Sequence, residues 1–418
     1  MKVLVIGNGA REHAIAWKLD QSPLRPELFV APGNAGTAGI GENVQIGAED
    51  VQGLLRFAQD RTIDVTVVGP EAPLAAGLAD LFKEAGVPVF GPVKAAAAIE
   101  SSKSFAKSVM RRANVPTAEA RVFDSLSEAR RHIARTEPRW VVKADGLAAG
   151  KGVVMAPTRE EAETALRSML EEKVFGSAGE TVLIEEWMTG QEVSVFAFVD
   201  GEHVSSIAAA CDYKRVGNGD VGPNTGGMGS YSPPPFWDSA LECQVREKIL
   251  QPVADELARM GSPYSGILYG GLMLTESGPK VVEFNCRLGD PEAQVVLPRL
   301  KSDLLEIALR SSEGDLARSE VEWSGLPCVA VVVASGGYPG EYRTGLPITG
   351  LDQVDDAVNV FHAGTCDSTT GVATSGGRVM TVTGTGRSLN EAREVAYANV
   401  SRIHFEDCFY RTDIAQDV

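Results

Sequence analysis

Short apolar runs, set apart by stretches of helical periodicity, mark the first hundred residues. Residues 2–6 (KVLVI), 28–31 (LFVA), 65–69 (VTVVG) and 87–90 (VPVF) read as buried strands, and residues 12–20 carry a helical pattern. This strand–helix–strand rhythm predicts a small doubly wound parallel sheet. From residue 101 the pattern changes. A helix over 104–113 leads to a strand at 140–143, a glycine-rich run at 145–152, a helix at 159–170 and a strand at 182–185. Residues 193–199 and 204–210 alternate like an antiparallel pair. Residues 211–235, with six glycines and four prolines, read as one long irregular stretch, and such stretches are usually functional or disordered. A helix at 240–260, strands at 267–274 and 279–285, and a helix near 303–311 follow.

Residues 313–326 are polar and turn-rich, as a linker would be. The strand 328–334 (CVAVVVA) opens the last segment, which also holds a strand at 379–384 and a helix at 390–401. The pattern predicts a multidomain protein of mixed α/β and α+β class. An N-terminal α/β domain spans 1–100, a middle domain 101–312 and a small C-terminal α/β domain 326–418. The 418 residues suffice for more than one core.

Composition narrows the function. The net charge of −17 disfavours nucleic acid and anionic membranes as partners. No apolar run approaches the ~18 residues that span a bilayer. The chain enters its first strand without a leader-like pattern. Six scattered cysteines with no CxxC pair read as reduced thiols. The expectation is a soluble cytoplasmic protein, a monomer or small homo-oligomer, acting on small molecules.

Five segments carry candidate chemistry. Gly7-Asn8-Gly9-Ala10-Arg11-Glu12-His13 follows a strand like a dinucleotide fingerprint. It has Glu12 where the third glycine belongs, and no acidic residue ends the second strand, so it fails as one. What is left is a glycine turn at a helix N-terminus, which suits a phosphate or is simply structural. The run 143–153 (KADGLAAGKGV) ends one strand and opens the next. It lacks the P-loop pattern, because Gly152 follows Lys151. A hairpin of this kind can fold over a triphosphate, offering Lys143 and the backbone N–H groups of Gly146, Gly150 and Gly152; the plain alternative is a mobile surface hairpin. Glu185, Glu186 and Glu192 flank a short turn containing Met188. Acids there suit adenine amino and ribose hydroxyl protons, or make a solvated turn. Glu283 and Asn285 lie two apart on one strand face, as two oxygen ligands for Mg2+ would, and Arg287 continues that face toward a reacting acyl phosphate. A buried ion pair is the alternative. Asp212 and Lys214, followed by the glycine turns around Asn224, Gly226 and Gly227, suit a small zwitterion and a phosphosugar, or form a disordered loop.

Together these segments resemble the glycinamide ribonucleotide synthetases (phosphoribosylamine–glycine ligases) of the ATP-grasp superfamily. The resemblance covers essentially the whole chain and rests on GNGAREH at 7–13, GPEAPL at 69–74, KADGLAAGKGV at 143–153, GPNTGGMGSYSP at 222–233 and EFNCRLGDPE at 283–292. It implies a half-Rossmann-like N-terminal domain, an ATP-grasp core with a mobile lid over about 117–190, and a C-terminal domain. It implies that Lys103 and Lys143 contact ATP phosphates, that the backbone from Glu185 to Met188 holds adenine and that Glu192 holds the ribose. Glu283 and Asn285 then bind Mg2+, with Mn2+ as a substitute. The turn at Gly9 and Arg11, with Glu71, helps bind 5-phosphoribosylamine, and the segment of Arg287, Gly289 and Asp290 lies at the reacting groups. Three positions depart from the family pattern: Ala10 stands for glycine, Leu288 for phenylalanine, and Cys211-Asp212-Tyr213 for glutamine-aspartate-histidine, so a histidine role at 213 is in doubt.

The implied chemistry starts with phosphorylation of glycine's carboxylate by ATP. The amine of phosphoribosylamine then attacks glycyl phosphate, with no covalent enzyme intermediate. Lys143 and Arg287 stabilise charge, the hairpin excludes water, and Asp212 and Asp290 are candidates to orient amines. No general base stands out. The rivals are another ATP-grasp ligase or carboxylase of purine metabolism, a non-catalytic nucleotide-binding regulator, and an NAD-dependent oxidoreductase built on residues 1–100.

Overall fold

The KVLVI run becomes the strand Lys2–Gly7, central in a five-stranded parallel sheet ordered Glu42–Asn43, Glu27–Pro32, Lys2–Gly7, Val65–Val68, Val89–Phe90. The structure, a computed structural model, describes residues 1–148, 152–369, 371–416 and 418. Leu4 and Ile6 pack with Leu54, Leu74 and Phe82 on one face of the sheet. Val3 and Val5 pack with Ala14 and Leu19 of the helix Ala10–Asp20, and with Val295, Val296 and Leu305 from far along the chain. Both faces are covered, so the strand reads as a continuous apolar run without alternation. The same packing fixes the first sheet against the segment that follows EFNCRLGDPE.

A nine-stranded sheet in which every pairing is antiparallel forms the middle of the molecule. Its order is Gly278–Asn285, Tyr264–Thr275, Gln191–Gly201, Ala208–Asp212, Gly229–Ser232, Cys328–Ala334, Arg378–Thr385, Asn359–His362, with His203–Val204 beside Gln191–Gly201. Residues 211–235 differ from the irregular stretch expected. They hold a hairpin, Arg215–Gly217 with Val221–Asn224, and the strand Gly229–Ser232. That four-residue strand (GSYS) joins middle and C-terminal strands into one sheet. It is too short and polar to show a period-two pattern. Its buried hydroxyls are satisfied internally: Ser230 donates to the Pro291 carbonyl at 2.8 Å and Ser232 to the Ala209 carbonyl at 2.6 Å. The helix expected over 240–260 is interrupted by one π turn, Arg246–Leu250, between Ser239–Val245 and Gln251–Arg259. Pro252, which lacks an N–H, follows that turn and gives the local reason for it.

A third sheet stands apart over residues 120–186. Ala120–Phe123, Val182–Glu186, Trp140–Ala144 and Val153–Ala156 pair antiparallel in that order. The helices Leu126–Ile133 and Arg159–Leu170 cover one face and close a separate small core around Ile133, Trp140, Val142, Leu166 and Ile184. A core of its own lets this unit move as one body against the larger sheet. Among the described residues no helix is long and apolar enough to cross a membrane.

The N- and C-terminal segments meet at two imidazoles. The amide of His362 donates to Nδ1 of His13 at 2.8 Å, and Asn34 donates to the His362 carbonyl at 2.8 Å. Burial, with His362 adding to it, pushes the His13 pKa down to about 3, and burial pushes that of His362 down to about 4. A histidine held neutral in the fold is protonated first in the unfolded chain. Its stabilising contribution is complete above pH 6.5 and is lost as pH falls toward the folded value. For His13 the loss by pH 4.5 is about 2–3 kcal/mol. Thermal melts of the native chain and of His13→Gln between pH 7 and 4.5 are expected to converge as pH falls. Parallel pH slopes for the two proteins would show that His13 does not titrate in this way.

Candidate active site

Strand Gly278–Asn285 at the sheet edge, the helix Lys103–Arg112 and the lid strand Trp140–Ala144 enclose one cleft. Its walls carry Lys103, Lys107, Lys143, Glu185, Glu283, Asn285, Arg287 and Glu71. Leu147, Ala148, Gly152 and Val153 from the glycine hairpin close one side. Gly150 and Lys151 of that hairpin lie outside the described residues. Gly146 is placed by its neighbours. Lys103 donates from Nζ to the Gly146 carbonyl at 3.2 Å, and the Asp145 carboxylate caps the helix, accepting from the Ser104 amide at 2.6 Å. An anion at a helix N-terminus is favourable, so Asp145 fastens the lid to the helix that carries Lys103.

Lys143 and Lys107 share one carboxylate. Glu185 lies 2.9 Å from Lys143 Nζ and 3.1 Å from Lys107 Nζ, with all three side chains buried. Lys143 also donates to the Val282 carbonyl at 3.0 Å. That carbonyl is free of the ladder because the register slips beside it: Gly271 faces Glu283 but Leu272 faces Val281. The bulge re-aims the strand at the point where the site begins. Burial lowers the pKa of Lys103 and of Lys107, against the opposing pull of Glu283 on the first and Glu185 on the second. Lys107 escaped the sequence reading. Its only sequence signal is its place one helical turn after Lys103. Glu186 accepts from Lys280 at 2.8 Å, and Met188 follows in the turn leading to Gln191–Gly201.

Arg287 is the most connected group in the cleft. It donates to Glu100 at 2.8 Å, to Glu71 at 3.1 Å and to Asn285 Oδ1 at 3.4 Å. Burial opposes the charge on Glu71, yet Arg287 and then Arg11 hold its carboxyl below the usual range. Burial instead raises the Glu100 carboxyl, against the pull of Arg287. Arg11 and Arg287 both donate to the Leu288 carbonyl at 3.2 Å. Leu288 and Ala10, two of the departures from the family pattern, are buried in one apolar cluster.

A second cavity of about 560 Å³ lies where the first sheet, the 288–291 segment and the C-terminal strands meet. Asn8, Gly9, Asn34, Asn43, Asp290, Tyr338 and Arg378 line it. At the turn the Gly9 amide is already bonded within the motif. The Glu12 carboxylate accepts from the Gly9 amide at 2.7 Å and pairs with Arg11 at 2.6 Å. A side chain at Gly7 or Gly69 would overlap that carboxylate. Glu12 therefore takes up the Gly9 amide within the turn, and Gly9 is a wall of the cavity. Arg378, also missed in the sequence, grips both sides: it donates to the Gly226 carbonyl at 2.6 Å and the Asp290 carbonyl at 2.7 Å, and pairs with the Asp290 carboxylate at 3.2 Å. Gly227 packs on Pro291, and Gly289 packs on the carboxylate of Glu292.

Asp212, Lys214 and Glu192 form a third group. Lys214 Nζ lies 2.8 Å from Asp212 and 2.9 Å from Glu192. Glu292 is buried nearby and accepts from Tyr269 at 3.0 Å and Ser194 at 3.2 Å; burial, then Asp212, pushes its carboxyl up to about 6. Asn224 is exposed on the hairpin that follows. Tyr213 accepts the Ala415 amide at 2.9 Å, so its hydroxyl, in place of a titrating ring, ties it to the C-terminal tail.

Comparison with known proteins bears on this geometry. Models of phosphoribosylglycinamide synthetase match the chain in three pieces: the N domain at 1–100, the ATP-grasp (A) domain at 101–293 and the C domain at 328–417. Phosphoribosylamine–glycine ligase of Escherichia coli is 50% identical over 419 residues, covering 99% of this chain and 98% of the relative. The crystal structure of phosphoribosylamine–glycine ligase from Thermotoga maritima is 33% identical, with a TM-score of 0.87 over 99% of this chain and 100% of that one. Biotin carboxylase from Campylobacter jejuni, at 13% identity, shares the fold with a TM-score of 0.77 over 99% and 94% of the two chains. The motifs, the three-part match and the full-length relatives agree, and the chain belongs to the phosphoribosylglycinamide synthetase family.

Proposed function

We propose that the chain joins glycine to 5-phosphoribosylamine at the expense of ATP, giving glycinamide ribonucleotide, ADP and phosphate in purine biosynthesis. The reading rests on one arrangement: Glu283, Asn285 and Arg287 line the same cleft as Lys103 and Lys143, under the edge of a glycine hairpin. A triphosphate needs that concentration of cationic donors, and a reacting carboxylate needs it beside the γ-phosphate.

The metal test is met by the donor set. The Glu283 carboxylate makes no hydrogen bond or ion pair to any described residue, and Asn285 Oδ1 takes only the 3.4 Å contact from Arg287. Two oxygens of this kind fit Mg2+, which takes one or two protein ligands and leaves the rest to phosphate and water; Mn2+ accepts the same set. When bound, the ion neutralises phosphate charge and polarises the phosphoryl oxygen. The protein's own groups do the positioning. Lys103 and Lys143 draw the triphosphate into the cleft, with adenine at the 185–188 turn and the ribose at Glu192. A carboxylate oxygen of glycine attacks the γ-phosphorus as the bond to ADP breaks, and Arg287 balances charge on the acyl phosphate. The neutral amine of phosphoribosylamine then attacks the acyl carbon, phosphate leaves, and the nitrogen loses a proton. The second cavity has the size and polar walls for the phosphosugar, with Arg378 as a cation for its phosphate and Asp290 toward its amine. Asp212 and Lys214, with the turn at Asn224, Gly226 and Gly227, suit the glycine zwitterion.

Phosphate release from ATP, measured with each substrate omitted in turn, tests the reading. Release is expected only with glycine and phosphoribosylamine together. Release driven by bicarbonate in place of glycine would assign the chain to carboxylation.

A further inference from the structure

The ion-paired Lys214 sits on a segment held from behind by the end of the chain. Its backbone is tied to the glycine turn: the Lys214 carbonyl accepts the Thr225 amide at 2.7 Å, the Tyr213 carbonyl accepts the Met228 amide at 2.8 Å, and the Tyr213 amide donates to the Gly229 carbonyl at 3.0 Å. The side chains part company along this stretch. Asp212 and Lys214 pair with each other at 2.8 Å. Tyr213 turns to the C-terminal tail, where its hydroxyl accepts the Ala415 amide and its ring lies 4.8 Å from the Arg411 guanidinium.

Arg411 is the largest side chain buried below 2% exposure. A buried guanidinium is tolerated only with its donors matched, and here each of its three nitrogens has a partner. Two donors go to Asp413 at 2.8 and 2.6 Å; the third reaches Asp220 at 2.8 Å and the Arg215 carbonyl at 3.0 Å. Asp220 and Arg215 belong to the hairpin that leads into Asn224. Asn218 and Thr412 exchange two further bonds, and Asp413 accepts the Gly219 amide. The tail itself is fixed to the helix Leu389–Val400. Arg393 donates to the carbonyls of Thr412 and Ile414, and Tyr397 bonds Arg411 and Ile414. A continuous set of bonds thus runs from a C-terminal helix to the loop bearing Lys214, and includes no residue of the ATP cleft.

We propose that Arg411 and Tyr213 are positioning residues, a strap by which the C-terminal tail sets the place of Lys214 and of the glycine turn at 222–229 for the amino-acid side of the reaction. The inference rests on the ligase reading for its kinetic consequence, and on geometry alone for its structural one. It is tested in the full-length protein with Arg411→Ala, Arg411→Lys and Tyr213→Phe. Loss of the buried charge-assisted bonds is expected to raise KM for glycine about tenfold or more in Arg411→Ala, and the single lost bond of Tyr213→Phe about threefold. KM for ATP, which Lys214 touches only through its pair with Glu192 at 2.9 Å, should rise clearly less than KM for glycine in each, and Arg411→Lys should recover part of the glycine affinity. If Arg411→Ala does not fold, Tyr213→Phe, which keeps the ring over the guanidinium, carries the test. Hydrogen exchange supplies a readout independent of turnover: amides of 213–229 are expected to exchange at least several-fold faster in Tyr213→Phe, with the 103–112 helix unchanged. Native protein that releases no phosphate with glycine and phosphoribosylamine would sink the ligase reading and leave the strap to the exchange result. Unchanged exchange at 213–229, or KM for ATP rising as much as KM for glycine, would overturn the strap.

Discussion

Glu283→Gln is expected to fold as the native chain does and to lose about two to three orders of magnitude in ATP-dependent turnover. The substitution is isosteric at a half-buried position on the strand Gly278–Asn285, whose core contacts come from Phe284 and Val281 on the other side. Glutamine keeps an oxygen in place but removes the charge that offsets a divalent cation. It also removes the carboxylate that favours the charged form of Lys103. A metal acting on a phosphoryl group supplies several kcal/mol, and each 1.36 kcal/mol is tenfold in rate. Steady-state phosphate release across a range of Mg2+ concentrations reads the effect. Higher Mg2+ should recover part of the loss, because affinity for the ion is part of what is removed. A melting temperature within about 2 °C of the native value would exclude unfolding as the cause. Turnover within twofold of native at every Mg2+ concentration would take Glu283 out of the site.

What the sequence makes legible is what local pattern carries. The buried parallel strands follow from continuous apolar runs, and the strand face of Glu283 and Asn285 follows from a spacing of two. What escapes it depends on partners distant in the chain. Arg378 is a surface-like residue in the sequence, yet it grips Gly226 and Asp290, 152 and 88 positions away. Arg411, near the end of the chain, carries no sequence signal of its own, and it is buried. Lys107 becomes part of the cleft only because Glu185 arrives from a lid strand. The slip beside Val282 has no sequence marker, although it frees the carbonyl that Lys143 uses. Glu12 shows the opposite limit. Its presence in place of the third fingerprint glycine is legible, but its bond to the Gly9 amide at the glycine turn requires the fold.

Arg287 carries the second large effect, in which activity and stability separate. Arg287→Met is expected to lower turnover by about a thousandfold, through loss of the cation that the proposed reaction sets beside its acyl phosphate. It should also destabilise the fold by about 3–5 kcal/mol, because Glu71 and Glu100 are left facing each other without their common partner. The two carboxylates respond to pH in opposite directions. Glu71, held below its ordinary value, contributes stability above its unfolded pKa that is lost as pH falls. Glu100, held above its ordinary value, costs stability once pH rises past that pKa, and more so without Arg287. The single variant is therefore expected to regain stability relative to native as pH drops from 7 toward 5. Adding Glu100→Gln removes the unpaired charge while keeping an acceptor for the Cys286 amide, which Glu100 holds at 2.7 Å. The double variant should recover at least half of the lost stability at pH 7 and none of the lost turnover. Denaturant melts and phosphate release on the same preparations separate the outcomes. Recovery of both would reduce Arg287 to a structural counter-ion; recovery of neither would mean that Glu71, not Glu100, is the carboxylate Arg287 neutralises.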